Sequence, residues 1–145
     1  MLKLKISIIG FATLVMANTI NGQFDPENFE IKFNRSIGAY LTVGGDWQQT
    51  NEQNSGYRLK VQNDVLIEEI ETSAGPFKRF QLKRTSSIAS KYINGQKVYI
   101  WFAESENGGE FLYKMFLNSS GKPYKVQVGT NFHRGDYSSY LEYYR

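Results

Sequence analysis

The sequence predicts a single all-β domain that follows an N-terminal export signal. Apolar and polar residues alternate with a period of two through most of the chain after residue 28, which is typical of strands with one buried face. Turn residues separate these segments at spacings of about 8–12 residues, and no segment keeps a helical period over several turns. The chain has 145 residues, of which 41% are hydrophobic and 15% aromatic. This apolar content is sufficient for one packed core.

Residues 1–22 are predicted to be a secretory signal peptide. Lys3 and Lys5 give a basic start, residues 6–17 form an apolar run, and polar residues follow. The run is shorter than the roughly 20 apolar residues that span a bilayer as a helix. We therefore expect residues 23–145 to be secreted as one domain without a transmembrane segment.

About nine strands are expected from the alternation. The first, at residues 29–33, places its aromatic and aliphatic side chains on one face and its charged side chains on the other. The others are expected at residues 39–43, 57–61, 65–70, 77–83, 97–103, 110–117, 124–128 and 140–144. Asn94-Gly95 predicts a tight hairpin, since both central residues of a type I′ turn need positive φ. The segment from residue 88 to 129 is therefore expected to form a meander of antiparallel hairpins.

Two strands are apolar on both faces, which favours a closed or two-layered architecture. In residues 97–103, for example, Val98, Ile100 and Phe102 alternate with Tyr99 and Trp101. A single-layer sheet would expose one of these faces, whereas a barrel or a sandwich covers both. The chain contains no cysteine, so no disulfide can hold the domain together and the core alone must stabilise it.

The segment at residues 29–45 carries a family resemblance. It consists of a strand, a predicted turn at Ser36 and Gly38, and then Tyr40-Leu41-Thr42-Val43. This pattern resembles the opening strand pair of ricin-type β-trefoil lectins, although the Gln-x-Trp motif that closes a lobe in that family is absent. The resemblance implies a β-trefoil fold and sugar binding, and a weak threefold echo of Ser followed by Tyr agrees with it. We expect a β-trefoil first, and otherwise an antiparallel β-barrel of lipocalin-like type or a β-sandwich.

A polar segment with one tryptophan is the predicted carbohydrate-binding site. A sugar site needs an aromatic face for the ring and carboxylate or amide groups for the hydroxyls. Asp46, Trp47, Gln48 and Asn51 supply both, with Trp47 expected to be exposed and to stack on the sugar. The leading functional hypothesis is therefore a secreted, lectin-like protein whose partner is a glycan.

A second hypothesis is a carrier of small apolar ligands. In this alternative Tyr99, Trp101, Tyr113 and Phe116 would line the lumen of a barrel. The hypothesis requires an enclosed cavity of about 300 Å³ or more.

A third hypothesis is an adhesion protein that binds a cell-surface receptor. It uses the tripeptide Arg134-Gly135-Asp136, in which Asp136 would complete a receptor's metal coordination and Arg134 would reach an acidic pocket. Separately, Asn34 and Asn118 begin glycosylation sequons, and both are expected at turns.

Composition and motifs argue against several other classes. Without cysteine and with a single histidine, His133, we predict no metal site, no cofactor and no nucleophilic triad, and no nucleophile elbow occurs in the chain. We therefore predict a non-enzymatic protein. The formal net charge is +3, of which Lys3 and Lys5 account for two. The densest basic stretch, residues 77–84, is expected to pair with the acidic residues 64–71 rather than with nucleic acid.

Overall fold

The protein is described by a computed structural model that covers residues 23–72, 74–133 and 136–145. For residues 72, 75–77, 131–133 and 136–138 only the backbone is described. The predicted signal peptide, residues 1–22, lies outside the described residues. Ten strands are present in the described part: β1 Asn28–Leu41, β2 Trp47–Gln49, β3 Gln53–Gln62, β4 Val65–Thr72, β5 Gly75–Arg84, β6 Ala89–Ile93, β7 Gln96–Ser105, β8 Glu110–Leu117, β9 Pro123–His133 and β10 Asp136–Tyr144.

Eight of these strands form a closed antiparallel β-barrel. The order around the barrel is β1-β3-β4-β5-β7-β8-β9-β10, and β10 returns to pair with β1 from Arg35↔Tyr144 to Tyr40↔Ser139. The two short strands lie beside this barrel: β2 extends from the end of β1, and β6 forms a hairpin with β7 through Asn94-Gly95. Asn94 and Gly95 both have positive φ, at 50° and 79°, as the sequence predicts for this turn.

The barrel interior is filled by the inward row of each strand. Because side chains alternate across a strand, every second residue of a barrel strand points inward. Trp101 and Tyr113 lie in the middle of this core, and their rings stack in parallel with centroids 5.4 Å apart. The remaining buried core includes Ile31, Phe33, Tyr57, Leu59, Val61, Leu66, Leu82, Ala103, Met115, Leu117, Val126, Val128 and Tyr143.

One end of the barrel, the capped end, is closed by the segment that precedes β1. The ring of Phe24 lies 4.9 Å from that of Phe29 and 5.7 Å from that of Tyr99. The Arg84 guanidinium donates to the Glu27 carboxylate at 3.3 Å, which ties the same segment to β5. The opposite end, the open end, carries the β4–β5, β7–β8 and β9–β10 connections.

The all-β prediction is confirmed, and the architecture matches the barrel alternative rather than a β-trefoil specifically. The segment that resembles a trefoil strand pair differs most from expectation. β1 runs without interruption through Ser36 and Gly38, where a turn is predicted, and only a register shift between Phe33 and Arg35 marks this region. The Gly38 amide donates to the Thr50 hydroxyl at 2.9 Å, and the Gly38 carbonyl accepts a bond from the Thr50 amide at 2.8 Å. Thr50 thereby covers Gly38 within the strand.

Candidate functional site

The structure separates the predicted carbohydrate-binding residues. Trp47 and Gln48 are consecutive in β2, so their side chains point to opposite faces. Trp47 is 44% exposed, as the lectin hypothesis requires, and its ring packs 5.0 Å from that of Tyr140. Gln48 instead accepts a hydrogen bond from the Tyr40 hydroxyl at 2.8 Å. Trp47 and Gln48 therefore do not share one surface.

The other two predicted residues, Asp46 and Asn51, are exposed, and their backbone atoms form hydrogen bonds with neighbouring threonines. The Asp46 amide donates to the Thr42 hydroxyl at 3.2 Å, and the Thr42 amide donates to the Asp46 carbonyl at 2.9 Å. These bonds close the β1–β2 hairpin. Asn51 follows β2, and its carbonyl accepts a bond from the Thr50 hydroxyl at 3.4 Å.

The lumen residues predicted for a carrier occupy three different environments. Trp101 and Tyr113 are buried inside the barrel, as predicted. Tyr99 packs on Phe24 at the capped end. Phe116 points outward, where the Lys125 ammonium lies 4.1 Å from its ring centroid. None of the four is among the residues that line the cavities of the described part of the chain. The alternation of β8 assigns Phe116 to the outer wall, and the core fills the middle of the barrel.

Of the predicted glycosylation sites, one lies at a turn and one does not. Asn118 is exposed in the β8–β9 connection, and its side-chain oxygen accepts bonds from the Ser120 and Lys122 amides at 3.0 Å. Asn34 is exposed within β1, beside the register shift, so its predicted turn is wrong. Of the predicted adhesion site, Arg134 and Gly135 lie outside the described residues, as does the side chain of Asp136.

A cavity of about 230 Å³ lies at the open end of the barrel and is the candidate functional site, which we call the mouth cavity. Inward-facing residues of β4, β5, β7, β8, β9 and β10 surround it, and most of its lining is apolar. The residues around it include Ile70, Phe80, Phe111, Val128, Leu141 and Tyr143, with Glu68 at its inner end. The buried core closes the cavity on the inside, and solvent reaches it from the open end.

Two larger depressions, of about 470 and 530 Å³, run along the β5 side of the barrel. They arise because β5 pairs with β7 only from Leu82 to Arg84, so the two strands diverge towards the open end. Charged and polar side chains such as Arg79, Glu104 and Glu106 line most of them. The mouth cavity differs from both because it joins an apolar wall to a buried carboxyl group.

Glu68 is held at the inner end of the mouth cavity by two tyrosines from different strands. Its Oε1 accepts hydrogen bonds from the Tyr57 hydroxyl at 2.6 Å and from the Tyr113 hydroxyl at 2.8 Å. Glu68 is only 9% exposed, and its other carboxyl oxygen, Oε2, has no hydrogen-bond partner among the described residues. Tyr143 covers Tyr57, with ring centroids 3.8 Å apart. The two hydrogen bonds to Oε1 therefore fix the orientation of the carboxyl group, and Oε2 stays available as an acceptor.

Burial dominates the electrostatics of this cluster. It raises the pKa of Glu68, while the hydrogen bonds from Tyr57 and Tyr113 act in the opposite direction and favour the ionised form. Burial, followed by the charge of Glu68, raises the pKa values of Tyr57, Tyr113 and Tyr143. All three tyrosines therefore stay neutral at physiological pH, so that the phenols of Tyr57 and Tyr113 act as donors to the carboxyl group.

Sequence reasoning missed this site, although one feature could have revealed it. Leu66, Glu68 and Ile70 alternate on the inward row of β4, and Glu68 is the charged residue in an otherwise apolar row. A charged side chain is rarely buried without a partner, so its position predicts partners inside the barrel. Tyr57 and Tyr113 are those partners, and only the pairing of the strands shows that they converge.

No group of His, Cys, Asp and Glu side chains among the described residues is arranged to hold a metal ion. Within the same residues, no helix is long and apolar enough to cross a membrane. No family model, curated protein or solved structure matches the chain. Any functional assignment therefore depends on the geometry of the site itself.

Proposed function

We propose that this protein binds a small, mainly apolar molecule in the mouth cavity of its barrel. The observation that carries the proposal is the cavity itself, about 230 Å³ in volume, with an apolar wall and one fixed carboxyl group at its inner end. Ligand sites are usually concave and apolar, with a few polar groups that orient the ligand. With the predicted signal peptide, the proposal describes a secreted binding protein without catalytic activity.

The size of the cavity limits the ligand. An engineered apolar cavity of about 150 Å³ accepts benzene. The mouth cavity is larger than that, but it falls below the roughly 300 Å³ that drug-sized ligands occupy. A single aromatic ring with one short substituent therefore fits the available space, whereas the long-chain ligands of larger barrels do not.

Binding of toluene, observed by saturation-transfer NMR, tests the proposal. Leu141 lines the mouth cavity and is 46% exposed, so the larger side chain of Leu141→Trp fills the entrance without overpacking the core. Leu41→Trp is the matched control, since Leu41 is 42% exposed and does not line the cavity. We expect saturation transfer to toluene with the wild type and with Leu41→Trp, and its loss with Leu141→Trp. No transfer with the wild type, or equal transfer with both variants, contradicts the proposal.

Carbohydrate binding at Trp47 is the second candidate, and one observation favours it. Trp47 is exposed and packs against the partly buried Tyr140 on the outer wall, where a sugar ring can stack on it. Gln48 lies on the other face of β2, so Asp46 and Asn51 would have to supply the polar contacts. A glycan array compared between the wild type and Trp47→Ala tests this candidate. Binding that survives the substitution excludes Trp47 as the stacking residue.

A further inference from the structure

The inner end of the mouth cavity offers a single ionisable acceptor to a ligand. Glu68 Oε1 already accepts both tyrosine hydroxyls, whereas Oε2 has no hydrogen-bond partner among the described residues. The residues that surround it from β3, β8 and β10 are Tyr57, Tyr113 and Tyr143, and all three carry neutral phenols. Oε2 is therefore the polar atom that a ligand can reach at this end of the cavity.

Glu68 also lacks a counter-ion. It forms no ion pair with any described residue, unlike the two carboxylates of Glu69 and Glu142, which pair with Arg58 and Lys125. On the neighbouring strand β5, Phe80 pairs with Glu68, and Lys78 lies two residues away on the same row, where it is exposed at the open end. A buried carboxylate without a cation is costly, and a bound cation reduces that cost.

The side walls of the cavity also suit a cationic ligand. Phe80, Phe111 and Tyr143 contribute aromatic rings to the lining. An ammonium group is attracted to the faces of such rings, and its N–H groups form strong charge-assisted bonds with a carboxylate. Ser105 and Thr130 add neutral hydroxyls nearer the entrance.

We propose that the ligand of the mouth cavity is a small amine, whose ammonium group binds Glu68 Oε2 and whose apolar body contacts Phe80, Phe111 and Tyr143. This inference rests on the proposed function, since it names the ligand class of the same cavity. Because an ammonium group stabilises the ionised carboxylate, amine binding releases a proton from Glu68 at pH values where the free protein holds it protonated. A neutral alcohol of the same shape causes no such release.

Toluene, benzyl alcohol and benzylamine form a matched set of probes, since they share one ring and differ in the group that meets Glu68. We expect benzylamine to bind the wild type about tenfold or more tightly than benzyl alcohol, because the ammonium group adds an opposite charge to its hydrogen bond with the carboxylate. Glu68→Gln should remove this advantage, so that the variant binds benzylamine no more tightly than benzyl alcohol. Glu71→Gln is the control, because Glu71 lies on the outward row of the same strand.

The outcomes separate this inference from the proposed function. Equal affinity of the wild type for the three probes overturns the amine assignment but leaves the cavity as a binding site. Equal binding of benzylamine by the wild type and Glu68→Gln also overturns it, provided that benzyl alcohol still binds the variant. Failure of all three probes to bind the wild type overturns both. Calorimetry in two buffers with different ionisation enthalpies measures the proton release. At a pH where Glu68 of the free protein is protonated, release should occur with benzylamine alone and be absent in Glu68→Gln.

Discussion

The ring of Tyr143 lies flat on the ring of Tyr57, with centroids 3.8 Å apart and planes 10° from parallel. The two residues belong to β10 and β3, which are not neighbours in the sheet because β1 lies between them. Tyr143 lines the mouth cavity, and Tyr57 donates its hydroxyl to Glu68. The stack therefore joins the wall of the cavity to the group at its inner end.

Tyr143→Leu is expected to lower the free energy of unfolding by about 2–3 kcal/mol, since it removes a buried ring and the stacking contact of that ring with Tyr57. Tyr143→Phe keeps the ring and its stack on Tyr57. Its effect should stay below about 1 kcal/mol. Urea unfolding measures both variants. If Tyr143→Leu and Tyr143→Phe lower the free energy of unfolding equally, the hydroxyl and not the ring stabilises this position.

Tyr57→Phe and Tyr113→Phe each remove one donor to Glu68 Oε1. Each is expected to lower the free energy of unfolding by about 1–3 kcal/mol, because a buried hydrogen bond to the carboxyl group is lost. Each should also raise the pKa of Glu68 further, since these bonds favour the ionised carboxylate. A double-mutant cycle measures the coupling between the two sites. Strictly additive losses would argue that the two hydroxyls do not act on one carboxyl group.

Glu68→Gln is expected to change how stability depends on pH. Gln keeps an oxygen for the tyrosine hydroxyls and removes the titrating group. Because burial raises the pKa of Glu68 in the folded protein, the native state binds its proton more tightly than the unfolded chain does. The contribution of Glu68 is therefore fully present below its ordinary pKa of 4.5, and it is lost as the pH rises to the folded-state value. The loss is about 1.4 kcal/mol for each pH unit between the two values.

The measurement for this prediction is urea unfolding of the wild type and the variant at a series of pH values. Relative to Glu68→Gln, the wild type should lose stability as the pH rises from about 4.5 and then reach a plateau. A stability difference that stays constant over this range, or that grows in favour of the wild type, contradicts the raised pKa.

Lys125→Met is expected to destabilise the outer wall of the barrel. The Lys125 ammonium lies 3.0 Å from the Glu142 carboxylate, and the Glu142 side chain is only 6% exposed. Removing the cation leaves a buried carboxylate without its counter-ion, at an expected loss of about 3 kcal/mol. Arg35→Met is the matched control, because Arg35 and Glu52 form an exposed pair, and its loss should stay below about 1 kcal/mol. Adding Glu142→Gln to Lys125→Met should restore part of the loss.

Strand patterning could be predicted from the sequence because it depends on local alternation. Tyr57, Leu59 and Val61, for example, form the inward row of β3, as their spacing predicts. β2 was not predicted, because it is short and polar and forms only by pairing with β1. β6 was predicted only indirectly, through the hairpin signal at Asn94-Gly95 that joins it to β7. The uninterrupted course of β1 through Ser36 was missed for a related reason. A Ser-x-Gly segment favours a turn locally, but pairing on both edges holds it extended.

The candidate site could not be predicted, because it depends on pairings between strands that are distant in sequence. Tyr57 and Tyr113 lie on β3 and β8, and nothing in their local sequence indicates a shared acceptor. Two of the predicted carbohydrate-binding residues are separated for the opposite reason. Trp47 and Gln48 are neighbours in sequence, but a strand directs neighbouring side chains to opposite faces.

The pairing of β1 with β10 has a consequence for how the chain is made. Arg35 pairs with Tyr144, so closure must wait until β10 has left the ribosome. Until then one edge of β1 and one edge of β9 remain open, and each can pair with another chain. Closure between such distant strands also makes folding slow relative to a protein with local contacts. The nascent chain therefore has a period in which it can aggregate, and that period ends when β10 pairs with β1.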